Sequence, residues 1–370
     1  MYQIPFSDIR VPTLLLDEKQ TKLNIRMMAE KAKNQGVRFR PHFKTHQSAQ
    51  IGEWFRKAGV KAITVSSVRM ADYFIHHKWN DVTIAFPVNW REINEINRLV
   101  DHNHLELLVE SIPTADFLQK NLRLITDVWI KIDVGYHRTG IEWQDREEIE
   151  NLVDKILSSN KLLLRGFLTH GGMTYNAGSR AEIQSLFVEG KNRLSEINRW
   201  FVESRKAGFE ISVGDTPGCR VSPGFDGVDE IRPGNFVFYD AMMSHLGVCQ
   251  PQEISLALAC PVVAKHANRS EIIIYGGAVH LSKESILVKG QPIFGLVALP
   301  QGERWSGPLE DCFVSGLSQE HGIVKVTQKV FDRLAIGDLV CILPVHSCLT
   351  ATAMGSYLTL DEESINMMRL

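Results

Sequence analysis

Residues 128–169 read VWIKIDVGYHRTGIEWQDREEIENLVDKILSSNKLLLRGFLT, and their rhythm decides the fold class. Val128–Asp133 is a short β-branched and aromatic run. Arg146–Ser158 carries apolar residues at i, i+3, i+4 and i+7 with charges between them, and Leu163–Thr169 is a second short apolar run. A segment of helical period between two short apolar runs is a strand–helix–strand unit.

The same rhythm extends in both directions, from about residue 18 to 240. Expected strands are Val37–Pro41, Ala62–Ser66, Val82–Phe86, Leu105–Val109, Val128–Asp133, Leu163–Thr169, Glu210–Val213 and Val228–Arg232. Between them lie amphipathic segments such as Lys19–Asn34, Ser48–Lys57, Arg91–Val100, Arg146–Ser158 and Arg180–Lys206. Eight strands, each with a helix, is the count of a closed (β/α)8 barrel of the TIM type, with an open doubly wound α/β sheet as the competitor. After Met243 the runs shorten and turn residues separate them: Ser255–Ala264, Glu271–Ile274, Ser285–Val288, Cys312–Val314, Gly322–Val326 and Leu339–Ile342. That pattern predicts an antiparallel β domain. The expected organisation is therefore a barrel over residues 18–243 and a β domain over 244–370, with residues 1–17 pairing with the latter through Val11–Leu16.

Composition excludes several classes. The 370 residues are 44% hydrophobic and 23% charged, with 41 basic and 43 acidic side chains and a net charge of −2. No excess of either sign points to nucleic acid or to an anionic membrane. No stretch approaches the roughly 20 apolar residues of a membrane span. The N-terminus lacks a basic segment followed by a long apolar core, so it does not read as a secretory signal. Six scattered cysteines without a CxxC pair fit reduced thiols in a cytoplasm.

Active sites of (β/α)8 barrels lie at the C-terminal ends of the strands. The first expected strand ends in Arg40-Pro41-His42-Phe43-Lys44-Thr45-His46, where Lys44 reads either as an amine nucleophile and base in the mouth or as an exposed loop lysine. The fifth runs into Asp133-Val134-Gly135-Tyr136-His137-Arg138-Thr139-Gly140, a tight loop that presents the Arg138 guanidinium to an anion. The sixth ends in Thr169-His170-Gly171-Gly172-Met173-Thr174-Tyr175. The seventh ends in Gly214-Asp215-Thr216-Pro217-Gly218 and the eighth in Arg232-Pro233-Gly234-Asn235. Backbone N–H groups of Gly-rich turns cradle phosphate, and loops seven and eight are where such barrels place it. Late in the chain, His346 and Cys348 stand two apart after an expected strand. An extended backbone would turn both to one side, where imidazole and thiolate suit zinc. A buried cysteine beside a turn histidine is the plain alternative.

In this order the motifs resemble the fold-type III pyridoxal-phosphate enzymes, and more narrowly the D-threonine aldolase and D-serine dehydratase group. The resemblance covers nearly the whole chain. It implies an alanine-racemase-like barrel and a homodimer with active sites shared between one barrel and the partner's β domain. Carried over by residue, Lys44 would bind pyridoxal 5'-phosphate and Arg138 would face its phenolic oxygen. Gly214, Thr216, Gly234 and Asn235 would cradle the phosphate. Tyr175 would sit near the pyridine nitrogen, with Arg232 as the other candidate. His346 and Cys348 would hold zinc or manganese. Asp215 departs from the family pattern, because a carboxylate near a phosphate dianion is unfavourable unless it points away.

The resemblance implies a lyase acting on a small D-3-hydroxy amino acid, with Cys348 favouring dehydratase-type β-elimination to a 2-oxo acid and ammonia. Retro-aldol cleavage to glycine and an aldehyde is the alternative, with His42, His46 or His170 as a base. An amino-acid racemase and a non-catalytic cofactor carrier are further readings.

Overall fold

The computed structural model describes residues 6–205 and 208–368. They form two compact units. One takes Met27–Lys44 and Phe55–Gly234; the other takes the chain up to Arg26, Thr45–Trp54 and the chain from Asn235 onward.

In chain order the first nine strands used here are β1 (Thr13–Leu16), β2 (Arg38–Phe39), β3 (Ile63–Val65), β4 (Asp81–Pro87), β5 (His104–Val109), β6 (Thr126–Asp133), β7 (Leu162–Leu168), β8 (Glu210–Val213) and β9 (Glu230–Ile231). Strands β2 to β9 build the first unit. They pair in parallel in the order β2-β9-β8-β7-β6-β5-β4-β3. A parallel bridge between His42 and Thr64 joins the end of β2 to β3, so the eight strands close into a ring and the open doubly wound sheet is not formed. All eight expected strands are present, and helices such as Arg146–Leu157 and Arg180–Arg205 connect them. Lys206, the expected last residue of the second of these, lies outside the described residues.

The strands are apolar because both faces are covered, as in parallel sheets generally. Val128, Trp129, Ile130 and Ile132 are fully buried. The barrel interior is nevertheless charged. Arg40 donates from Nε to Glu230 Oε2 at 2.8 Å, from Nη1 to Asp81 at 2.6 Å and from Nη2 to Glu106 at 3.2 Å. Glu230 Oε1 accepts from Ser212 Oγ at 2.8 Å, and Ser212 Oγ accepts from Arg232 Nε at 2.7 Å. Buried ions persist when they are paired and fully hydrogen-bonded, which this chain from Arg40 to Arg232 achieves.

The second unit adds β10 (Leu256–His266), β11 (Glu271–Tyr275), β12 (Gly295–Ala298), β13 (Phe313–Leu317), β14 (His321–Lys325), β15 (Leu339–Pro344), β16 (Ser356–Thr359) and β17 (Ser364–Asn366). Strands β10-β11-β14-β13-β12-β15 pair antiparallel, and β15 returns to β10, so six strands form a second closed ring. Strand β1 lies antiparallel to β10, with Thr13 opposite Ala259, and parallel to β16. Among the described residues no helix is long and apolar enough to cross a membrane.

Candidate functional site

The barrel mouth begins at Lys44. Phe43 is fully buried, its ring 4.9 Å from those of Phe55 and Phe74 and 5.1 Å from that of Trp79. His42 N–H donates to Pro233 O at 2.9 Å and Phe43 N–H to Thr64 O at 2.8 Å. These bonds fix the turn that follows β2, in which Phe43 is buried and Lys44 exposed.

Asp133 builds the next loop. Its Oδ1 accepts from the backbone N–H groups of Gly135 and Tyr136, and its Oδ2 from that of His137, all at 2.8 Å. The loop closes at Gly140, at φ +106°, where a Cβ would meet Asp133 N at 2.8 Å; only glycine fits. Arg138, carried on this loop, lies over the Tyr136 ring at 5.0 Å. That ring stands edge-on to His170, with centroids 5.9 Å apart.

At the end of β8, Gly214 lies against Arg232, whose Cβ would be 3.0 Å from any side chain placed there. Asp215 resolves the concern raised by its sequence position. Its carboxylate caps the short helix Thr216–Val221, accepting from Gly218 N–H and, at 2.8 Å, from Thr174 Oγ1. Burial pushes its pKa up to about 6 against those hydrogen bonds. Thr216 N–H donates to Tyr175 Oη at 3.4 Å, so the phenol stands on the turn expected to hold phosphate. Arg232, fully buried, also donates to Thr169 O and Ser212 O.

Positive charge dominates this mouth. Burial lowers Arg232 to about 10, still charged at neutral pH. Burial and the charges of Arg232 and Arg138 bring Lys131 down to about 7. His42 and His170 are held far below the ordinary imidazole range by burial and by Lys44 and the neighbouring cations, and so stay neutral. Asp133 is spent on the backbone N–H groups of its loop, and Asp215 on Gly218 N–H and the Thr174 hydroxyl. An amine, guanidinium groups and Gly-lined strand ends are a donor set that fits an aldehyde-bearing phosphate dianion such as pyridoxal phosphate.

His346 and Cys348 lie in the second unit. The strand β15 stops at Pro344 and a helix, Ser347–Met354, begins at once, so the two side chains do not share an extended strand as the spacing suggested. His346 stands at the N-cap position of that helix without a side-chain capping bond, and Cys348 sits in its first turn. Thr350 Oγ1 donates to Leu281 O at 3.3 Å and holds the segment that brings Glu284 to His346. His346 Nδ1 is 2.7 Å from Glu284 Oε2, and the imidazole is also hydrogen-bonded to Cys348. Despite burial, hydrogen bonds to Cys348 and Glu284 push the imidazole up to about 11. A histidine oriented by a carboxylate, beside a thiol, is a borderline-soft donor pair that fits a zinc-like ion.

Asn235 belongs to this second group. Its Nδ2 donates to Asp240 Oδ2 at 2.6 Å and to Ser347 Oγ at 3.1 Å, so only its backbone is available to a phosphate. Gly234 ends the barrel unit and is buried. Sequence reasoning missed Tyr136, Asp133, Lys131, Asp240 and Glu284 as parts of these groups. Only Asp133 carried a local signal, an aspartate directly before a Gly-containing turn.

Comparison with known proteins gives a family. Residues 16–241 match the family described as "Alanine racemase, N-terminal domain". The chain belongs to this family. It is therefore a fold-type III pyridoxal-phosphate protein, and residues 255–360 match a second model, "Putative serine dehydratase domain". Within the family the chain is 28% identical over 360 residues to a D-threo-3-hydroxyaspartate dehydratase of Delftia sp., covering 94% of this chain and 93% of the relative. It is 25% identical over 389 residues to a D-serine dehydratase of Dictyostelium discoideum, covering 97% and 95%. The solved Delftia structure superimposes with a TM-score of 0.87 at 26% identity over 98% of both chains. So does a cysteine-to-alanine mutant of that enzyme described as metal-free, at 0.87 and 25% over 98% of both.

Proposed function

We propose that this protein is a pyridoxal-phosphate- and metal-dependent lyase that removes water from small D-3-hydroxy amino acids, giving a 2-oxo acid and ammonia. The observation that carries this reading is the imidazole–thiol pair of His346 and Cys348, with Glu284 orienting the imidazole. The names of the relatives, a D-serine dehydratase and a D-threo-3-hydroxyaspartate dehydratase, agree with it.

When bound, pyridoxal phosphate supplies an electron sink for the Cα of an amino acid, and a metal supplies Lewis acidity for a β-hydroxyl. Lys44 Nζ would anchor the cofactor, and as a free amine it is the base placed to take the Cα proton. Backbone N–H groups of Gly214, Gly234 and Asn235 would bind phosphate, and that of Thr216 would join them on leaving Tyr175 Oη. Arg138 would stabilise anionic oxygen. Arg232 and Tyr175 are the candidates to face the pyridine nitrogen. His346 and Cys348 are the metal ligands, with zinc the ion their chemistry favours and manganese the alternative.

A homodimer with shared sites completes the reading. Phe86, Trp90 and Ile112 of the barrel unit, and Leu287 and Leu349 of the other, are exposed apolar surface that a second copy would cover. The six cysteines form no disulfide with one another, which suits a reducing, cytoplasmic setting. Retro-aldol cleavage is the second reading, with His42 or His170 at the barrel mouth as the candidate base. The test is conversion of D-serine to pyruvate and ammonia by the cofactor-loaded protein, lost on chelation and restored by zinc. Equal turnover after complete metal removal overturns the metal-dependent mechanism.

A further inference from the structure

The sulfur of Cys348 has polar neighbours that none of the chemistry above uses. Thr45 Oγ1 lies 3.3 Å from Cys348 Sγ, and Thr45 is fully buried. Asn235 Nδ2 lies 3.9 Å from the same sulfur, on a side chain only 6% exposed. We propose that Thr45 is a positioning residue for the Cys348 thiolate, donating to its sulfur and holding it in the orientation that metal binding requires; Asn235, whose two N–H groups go to Asp240 and Ser347, packs beside the sulfur. The proposal rests on His346 and Cys348 being the metal ligands.

Both side chains are fixed by their surroundings. The segment carrying Thr45 is tied down by Tyr357 Oη donating to His46 O at 2.8 Å. Gln47 Nε2 donates to Thr352 Oγ1 at 2.9 Å, and Met368 N–H to Gln47 O at 2.6 Å. Asn235 is held by Asp240, whose Oδ2 accepts from Asn235 Nδ2 and from Ser347 N–H at 3.0 Å. Turning the amide over would set its oxygen against that carboxylate, so the N–H face must point toward Asp240 and Ser347. Asn235 Oδ1 is then buried with no hydrogen-bond partner.

A threonine hydroxyl is both donor and acceptor. With Cys348 as a thiol, the S–H donates to Thr45 Oγ1; with the thiolate on a metal, the hydroxyl rotates and donates to sulfur. Such outer contacts orient a ligand and take up part of its charge. Thr45 also directly follows Lys44 in the chain. One short segment thus carries both the candidate cofactor lysine and a donor to the candidate metal ligand.

The test uses cobalt-substituted holoenzyme, reading the thiolate-to-cobalt charge-transfer band and the metal affinity by competition with a chromophoric chelator. Thr45→Val preserves shape and removes the hydroxyl. It is expected to weaken metal binding roughly 10-fold and move the band to longer wavelength, because an unbonded sulfur lone pair lies higher in energy. Thr45→Ser should restore both. Wild-type affinity and band in Thr45→Val overturn the proposal, as does a loss of apoprotein melting temperature with neither readout changed. A wild-type cobalt protein with no thiolate band refutes the metal-ligand reading itself and takes the proposal with it.

Discussion

The barrel mouth and the His346–Cys348 turn are built from opposite materials. In the mouth the charges are hard and permanent: Arg138 and Arg232 lie at or just beyond strand ends, the donors proposed for phosphate are backbone N–H groups, and Asp133 and Asp215 are consumed by loop and helix capping. At the turn the donors are an imidazole and a thiol, and side chains from distant segments (Glu284, Asp240, Thr45) orient them. The first arrangement attracts an anion almost regardless of small movements, because charge acts at a distance. The second depends on contacts of about 3 Å. The mouth should therefore tolerate loss of any one phosphate donor, whereas the turn should fail when one ligand goes.

The largest effect expected is that of Lys44→Ala. Removing the amine proposed to anchor the cofactor and to move the Cα proton should cut turnover by about 10³-fold or more and abolish the bound-cofactor absorbance; steady-state assay and a spectrum read both. Retained absorbance at wild-type wavelength would mean that Lys44 is the exposed loop lysine of the plain reading. Next comes Glu230→Leu in the barrel interior. It strips the partner from Arg40 and Ser212, and leaving a buried guanidinium short of its anion should cost about 3–5 kcal/mol in urea denaturation. Unchanged stability would mean water reaches this interior.

Cys348→Ala sharpens the contrast directly. It should lower turnover by about 10²-fold together with bound zinc measured by elemental analysis, while the cofactor absorbance stays. A parallel loss of absorbance would show the two groups to be one cooperative unit. The smallest effect is a pH dependence at the opposite end of the barrel. His104 stands between Asp127 and Asp81, whose hydrogen bonds raise its pKa from 6.5 to about 10. A folded-state value above the unfolded one means the stabilisation is full below pH 6.5 and is lost as pH rises through 10. His104 is half exposed, so the decline should be shallow, and His104→Gln should remove it from a melting-temperature profile.

The parts legible in the sequence were those set by local physics. Barrel strands are buried on both faces, so Val82–Phe86 and Val128–Asp133 announce themselves as apolar runs without reference to anything distant. The strand Gly295–Ala298 did not, being four residues with a glycine, held only by its neighbours β13 and β15. Arg138 and Lys44 were readable because a strand end followed by a turn is itself a local pattern. The extended-strand argument for His346 and Cys348 gave way to a helix start, since Ser347 N–H finds its acceptor in Asp240, which no spacing shows. Glu284, 62 residues before His346, and Thr45, 303 before Cys348, are joined to that turn only by tertiary folding.

The most direct test of the whole account is to give the cofactor- and zinc-loaded protein D-threonine and identify the products. That substrate can lose water or break its Cα–Cβ bond. The account predicts 2-oxobutanoate and ammonia; glycine and acetaldehyde would contradict it and assign the neutral histidines of the mouth to an aldolase.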